Sequence, residues 1–111
     1  MGDMDKLTEE NTEFRKVTKT GNHMQLVVMH VEPTKEIGRE VHPHTDQFVR
    51  IEHGSGKVEY KYGSGDKWVH HPISENSAVF VPAGTWHNFI ADADTPLKLY
   101  TLYAPPEHPH E

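Results

Sequence analysis

The stretch EVHPHTDQFVRIEHGSG, residues 40 to 56, sets two histidines one residue apart just ahead of an alternating run that closes on a glycine-serine turn. In an extended chain, residues i and i+2 face the same side, so His42 and His44 are expected to aim both imidazoles together. The pair alone carries little weight. With ten histidines in 111 residues, about 0.9 such pairs are expected by chance, and the chain holds two, His42/His44 and His108/His110. The stretch gains meaning only from what surrounds it.

What surrounds it is a series of short apolar or alternating runs. MQLVVMHV (24–31), REVHPH (39–44), QFVRIEH (47–53), KVEYKY (57–62), SAVFVP (77–82), WHNFIA (86–91) and LKLYTLY (97–103) are separated by PTKEIG, GSG, GSGD, PAGT and ADADTP, which is strong turn chemistry. Short strands at this spacing predict an all-β antiparallel sandwich or barrel. Only DKLTEENTEF, near the start, has helical character. It has too few apolar positions for a packed face, so a short surface turn or helix is expected there.

Alternation also assigns faces. In KVEYKY, Val58, Tyr60 and Tyr62 share one side, read as inward, and Lys57, Glu59 and Lys61 the other. In residues 97–103 both faces are partly apolar, which predicts packing on each side, against the N-terminal segment or a second subunit.

Composition narrows the function classes. The chain suffices for one domain, and its 34% apolar content gives a thin core that a homodimer partner would help to cover. A net charge of −6 with scattered signs offers no basic stripe, so nucleic acid is not expected as a partner. The absence of cysteine excludes disulfides, zinc-thiolate sites and thiol nucleophiles. The polar first residues, MGDMDKLTEENTEFRKV, read as neither signal peptide nor membrane span, and Lys6 stands where a myristoylation signal needs Ser or Thr. A soluble cytoplasmic protein with no membrane partner is the expectation.

In VPAGTWHNF (81–89), Pro82 and Gly84 build a turn that delivers His87 at the start of a strand. With these residues in view, the chain resembles a small single-domain cupin of the cupin-2 conserved-barrel, mannose-6-phosphate-isomerase-like type, a double-stranded β-helix of the jelly-roll class. The family's first motif, G-x5-HxH-x3,4-E-x6-G, is similar to Gly38 through Gly54. Its second, G-x5-PxG-x2-H-x3-N, is similar to Asn76 through Ala91. The resemblance covers about residues 21–104 as the barrel, preceded by an N-terminal segment 1–20 and followed by an extended tail 105–111. It implies a divalent transition metal, Zn, Ni, Mn or Fe, held by His42, His44, Gln47 and His87, with a small-molecule ligand or substrate in the barrel mouth.

The departures from the family pattern are specific. Three residues lie between Gly38 and His42 instead of five, the gap from His44 to Gln47 is one or two residues short, and Asn76 and Ala91 stand where the second motif has glycine and asparagine. Gln47 stands in place of glutamate, which in this register leaves three imidazoles and no carboxylate. Neutral ligands leave a divalent ion its full +2 charge, which favours Lewis-acid polarisation of an oxygen-containing substrate, as in an isomerase, lyase or cyclase. A three-histidine Fe(II) dioxygenase and a non-catalytic binding or sensing cupin are the alternatives. Tyr60, Tyr62 and Tyr103 are the candidates for moving a proton, against the reading that they simply fill the core. His70 and His71 read as loop residues, Arg50 as a surface charge, and the PPEHPHE tail as a solvated end, with folding over the barrel mouth as the alternative.

Overall fold

A computed structural model describes residues 2–61 and 67–108. Tyr62 and His110 lie outside them. The helix α1 (Met4–Glu10) is followed by strands β1 (Arg15–Thr20), β2 (Gln25–Val31), β3 (Asp46–His53), β4 (Ser55–Lys61), β5 (Val69–Ser74), β6 (Ala78–Val81), β7 (Trp86–Ala91) and β8 (Leu97–Ala104). They form two antiparallel sheets, one in the order β1-β2-β8-β3-β6 and the other β5-β4-β7. This is the all-β jelly-roll architecture expected from the sequence.

The two inner faces interdigitate because alternate positions are apolar. Val27, Met29 and Val31 of β2, Val49 and Ile51 of β3, and Leu97, Leu99 and Tyr103 of β8 meet Val58, Ile73 and Phe89 of the smaller sheet, all of them buried. The connection between β3 and β4 is tight. Gly54, between β3 and β4, has φ +91°, and a Cβ there or at Gly56 would run into the Pro96 or Ile90 carbonyl, so neither position admits a side chain.

The N-terminal helix is capped by Asp3, whose carboxylate accepts from the Lys6 N–H (3.2 Å), and it packs across β8 and β3. Lys98 Nζ donates to the Glu9 carbonyl (2.6 Å). Helix α1 thus supplies the cover that the two-sided apolar pattern of residues 97–103 called for. No helix among the described residues is long and apolar enough to cross a membrane.

Four local readings are corrected. Residues 39–44 do not form a strand; they run beside β7 and touch its backbone through bridges at Glu36–Ile90 and Glu40–His87. From this segment the Arg39 side chain reaches over the outer side of the small sheet to Glu59. Glu59, read as outward, is therefore buried at 4% exposure, its carboxylate accepting from Arg39 Nε (2.8 Å) and Asn88 Nδ2 (3.1 Å) and pairing with His70 Nε2 (2.9 Å). His70 and His71 lie on β5 instead of in a loop, because Pro72 occupies an edge strand where its missing N–H costs nothing. Finally, residues 105–108 of the tail fold back onto the barrel: buried Gln25 accepts from the Glu107 and His108 N–H groups (3.2 and 2.9 Å) and donates to the His108 carbonyl (2.7 Å).

Candidate metal centre

The turn before β7 fixes the first ligand. Thr85 N–H donates to the Pro82 carbonyl (3.2 Å), Ala83 N–H to the Asp46 carboxylate (2.9 Å), and Gly84 N–H to the His42 carbonyl (2.9 Å), so PAGT is tied to the segment that carries the second ligand. His87 is buried at 1% exposure, and its Nδ1 bonds the Thr85 carbonyl at 2.9 Å. A carbonyl only accepts, so Nδ1 carries the hydrogen and Nε2 keeps its lone pair toward the interior.

Two further groups, Glu40 and His42, converge on that lone pair. Glu40 exchanges backbone hydrogen bonds with His87 (3.0 and 2.9 Å). Its Oε1 lies 3.9 Å from His87 Nε2 and 3.5 Å from His42 Nε2, and the three ligand atoms all lie within 4.8 Å of one another. From β3, buried Gln47 donates its Nε2 to Thr101 Oγ1 (3.0 Å) and Tyr103 Oη (3.3 Å). That leaves its Oε1 free. His42 Nε2, His87 Nε2 and Gln47 Oε1 are all buried without a hydrogen-bond partner. Orphaned buried polar atoms are costly, and two of them are imidazole nitrogens gathered around one carboxylate. This donor set fits a divalent transition metal.

The electrostatics follow from the grouping. The Glu40 contact raises the pKa of His42 above the usual histidine value, with burial opposing and Glu107 reinforcing it. Burial lowers His87 instead. Burial pushes Glu40 up, but the His42 and His87 rings outweigh it and hold the carboxyl below its usual range. Burial drives the Tyr103 phenol well above its ordinary value, so it stays protonated and can donate a hydrogen bond but not act as a base.

The structure brings His42 and His87 of the sequence-derived ligand set together, buries Gln47 against Tyr103, whose ring stands edge-on to His42, and leaves His44 out. Residues 43 and 44 form a turn, and His44 is exposed to solvent. The carboxylate missing from the sequence reading is Glu40. The signal for it was in the spacing: moved back by two residues, the motif reads Thr34-x5-Glu40-x-His42-x4-Gln47-x6-Gly54, and every gap fits. The glycine positions are then occupied by residues that adopt glycine's backbone, since Thr34 and Asn76 have φ of +69° and +75°. In this register a carboxylate stands beside the two imidazoles.

Tyr103 sits between the cluster and the tail, its ring edge-on to His42 at 5.5 Å between centroids. Tyr60 is elsewhere. A cavity of about 440 Å³ opens between β5 and β6, the free edges of the two sheets, with Tyr60, His71, Phe80, Thr85 and His87 among its walls. Tyr60 Oη and His71 Nε2 are hydrogen-bonded at 3.1 Å. Asp5, Glu9 and His53 also gather within 4.8 Å on the outside of the barrel, but both carboxylates are exposed, as solvated surface charges are.

Residues 27–103 match the family described as Cupin domain. The chain is 43% identical over 106 residues to the uncharacterized protein YrkC of Bacillus subtilis (strain 168), covering 96% of the chain and 57% of that protein. It is 28% identical over 104 residues to acireductone dioxygenase of Xenopus laevis, covering 86% and 58%. The chain thus spans less than two thirds of the length of these curated relatives. The crystal structure of BH2720 from Bacillus halodurans superposes with a TM-score of 0.94 at 39% identity, over 99% of this chain and 83% of that one.

Proposed function

This chain belongs to the cupin family, and from that membership and the site geometry we propose that it is a metal-dependent enzyme acting on a small oxygen-bearing organic molecule. The observation that carries the reading is the gathering of the Glu40 carboxylate and two imidazole nitrogens that have no hydrogen-bond partner, His42 Nε2 and His87 Nε2, all within 4.8 Å of one another. Glu40, His42 and His87 would hold the ion, with Gln47 as the fourth donor. A carboxylate among the ligands lowers the formal charge of the centre and suits higher oxidation states, and two histidines with one carboxylate and open positions are the pattern of non-haem Fe(II) oxygenases. When bound, the ion would supply redox chemistry and polarisation of a coordinated oxygen donor. The similarity to acireductone dioxygenase supports an oxygenase as the first reading.

The protein's own residues would do the rest. The cavity beside His87 would exclude water from the substrate, with Phe80 and Val81 as apolar walls. Thr85 holds the His87 tautomer. Tyr60, coupled to His71 at 3.1 Å, would pass a proton between its phenol and a substrate oxygen. That same pair favours a second reading, a metal-assisted isomerase or lyase in which proton transfer is the main event.

Metal analysis of protein purified without chelators tests the first premise, with Fe, Mn, Ni and Zn as the ions sought; none at stoichiometric level would reject it. Oxygen uptake with enediol and β-dicarbonyl substrates then separates the readings, since consumption supports the oxygenase and turnover without it the isomerase or lyase. A homodimer in a cytoplasmic setting belongs to the same proposal. Exposed Phe80, Trp86 and Val69 supply apolar surface for a second copy, and light scattering would report the mass.

A further inference from the structure

Residues 105–108 lie beyond the segment that matches the family, yet they end at the metal centre. We propose that this C-terminal strap is a working part of the site, with Glu107 as a positioning residue for His42 and Gln25 as the strap's anchor. The inference rests on the metal reading above.

The anchor is specific. Gln25 is fully buried at 0% exposure, and its amide spends its hydrogen-bonding capacity on the strap: Oε1 accepts from the N–H groups of Glu107 and His108, and Nε2 donates to the His108 carbonyl and to Thr20 Oγ1 (3.0 Å). A glutamine at this point of an otherwise apolar β2 face is costly unless those partners are in place. So anchored, the strap lays the His108 ring edge-on against Tyr103 at 4.9 Å between centroids. It also brings Glu107 Oε2 to 3.5 Å from His42 Nδ1.

The two nitrogens of His42 therefore face two carboxylates, Glu40 at Nε2 and Glu107 at Nδ1. Glu40 belongs to the ligand cluster, and Glu107 stands on the far side of the ring, where it can only act through His42. A carboxylate in that place keeps the hydrogen on Nδ1, presents the Nε2 lone pair to an ion, and raises the ring's basicity as a ligand. His87 receives the same service from the Thr85 carbonyl. One ligand is thus oriented by a neighbouring turn and the other by the opposite end of the chain.

The test uses the full chain with Co(II) alone as the probe, reading affinity and the visible d–d spectrum, with apo-protein melting as a control on folding. Glu107→Ala is expected to weaken Co(II) binding by about 10- to 100-fold and to change the spectrum, as loss of an outer carboxylate partner does. Glu107→Gln, which keeps an acceptor oxygen, should lose less. Gln25→Ala should reproduce the Glu107→Ala loss, and the double variant should be no weaker than either single one. Unchanged affinity and spectrum in Glu107→Ala, with wild type binding one equivalent, would overturn the strap's role while leaving the metal reading intact. A wild type that takes up no Co(II), Zn(II) or Fe(II) would instead overturn the metal reading itself, and this inference with it.

Discussion

Glu40 and His87 are joined twice, by a pair of backbone hydrogen bonds of 3.0 and 2.9 Å and by side chains that end 3.9 Å apart across the candidate site. Backbone pairing fixes the carboxylate's place before any ion arrives. Glu40→Ala should therefore cost more metal affinity than the roughly 10- to 100-fold lost with an outer partner, and His44→Ala should leave affinity unchanged. Isothermal titration with Zn(II) reads both, and the reverse ranking would restore the three-histidine set.

Gln47 offers the site an oxygen while its amide nitrogen serves Thr101 and Tyr103. Both partners are hydroxyls and can turn from accepting to donating, so Gln47→Glu is accommodated without an unpaired group. A carboxylate at this buried position should cost stability in the apo protein and attract a cation. The expected pattern is a lower apo melting temperature, tighter metal binding and a larger metal-induced rise in melting temperature. Equal metal affinity in the two proteins removes Gln47 from the ligand set.

Glu59 carries a pH prediction. Its hydrogen bond from Arg39, aided by Asn88 and His70, holds its pKa down from 4.5 to about 2. The folded value lies below the unfolded one, so the stabilisation is present above pH 4.5 and is lost as the pH falls toward 2. Its size is on the order of 3 kcal/mol. Glu59→Gln should lower stability at pH 7 and flatten the loss between pH 4.5 and 2, measured by urea denaturation at stepped pH. A slope equal to wild type would mean that other carboxylates dominate acid unfolding.

Gly56 pairs with Ala91 where β4 meets β7, and a Cβ there collides with the Ile90 carbonyl. A backbone neighbour cannot rotate away. Gly56→Ala should destabilise the fold by about 2 kcal/mol or more, seen as a drop in chemical-denaturation midpoint. Metal affinity should fall too, since His87 lies on the same β7. A variant as stable as wild type would show that the two strands can separate locally.

The fold was legible because it rests on repetition. Alternating runs such as 97–103, broken by turns such as PAGT, define strands and faces together, and the structure pairs them as two antiparallel sheets. The site was legible in part. His42, Gln47 and His87 carry motif chemistry, but Glu40 does not look like a histidine, and the visible HxH drew the register two residues downstream to His44. What corrects it is a turn at residues 43 and 44, and a strand alternation cannot see a turn inside it. Glu59 was misplaced for a related reason: local pattern shows which side of a strand a residue takes, not whether another segment covers that side. The strap escaped because its anchor, Gln25, and its cargo, Glu107, are 82 positions apart, with no periodicity to connect them.

The four proposed donors come from three separate pieces of architecture: Gln47 from the larger sheet, His87 from the smaller one, and Glu40 and His42 from a segment that joins the barrel through isolated bridges. An ion gripping all four would act as a rivet through both leaves of the sandwich and the flap beside them. Loading would then be recorded in the rigidity of the whole barrel, by the coupling of ligand binding to folding, and protease resistance with and without metal would report occupancy before any substrate is known.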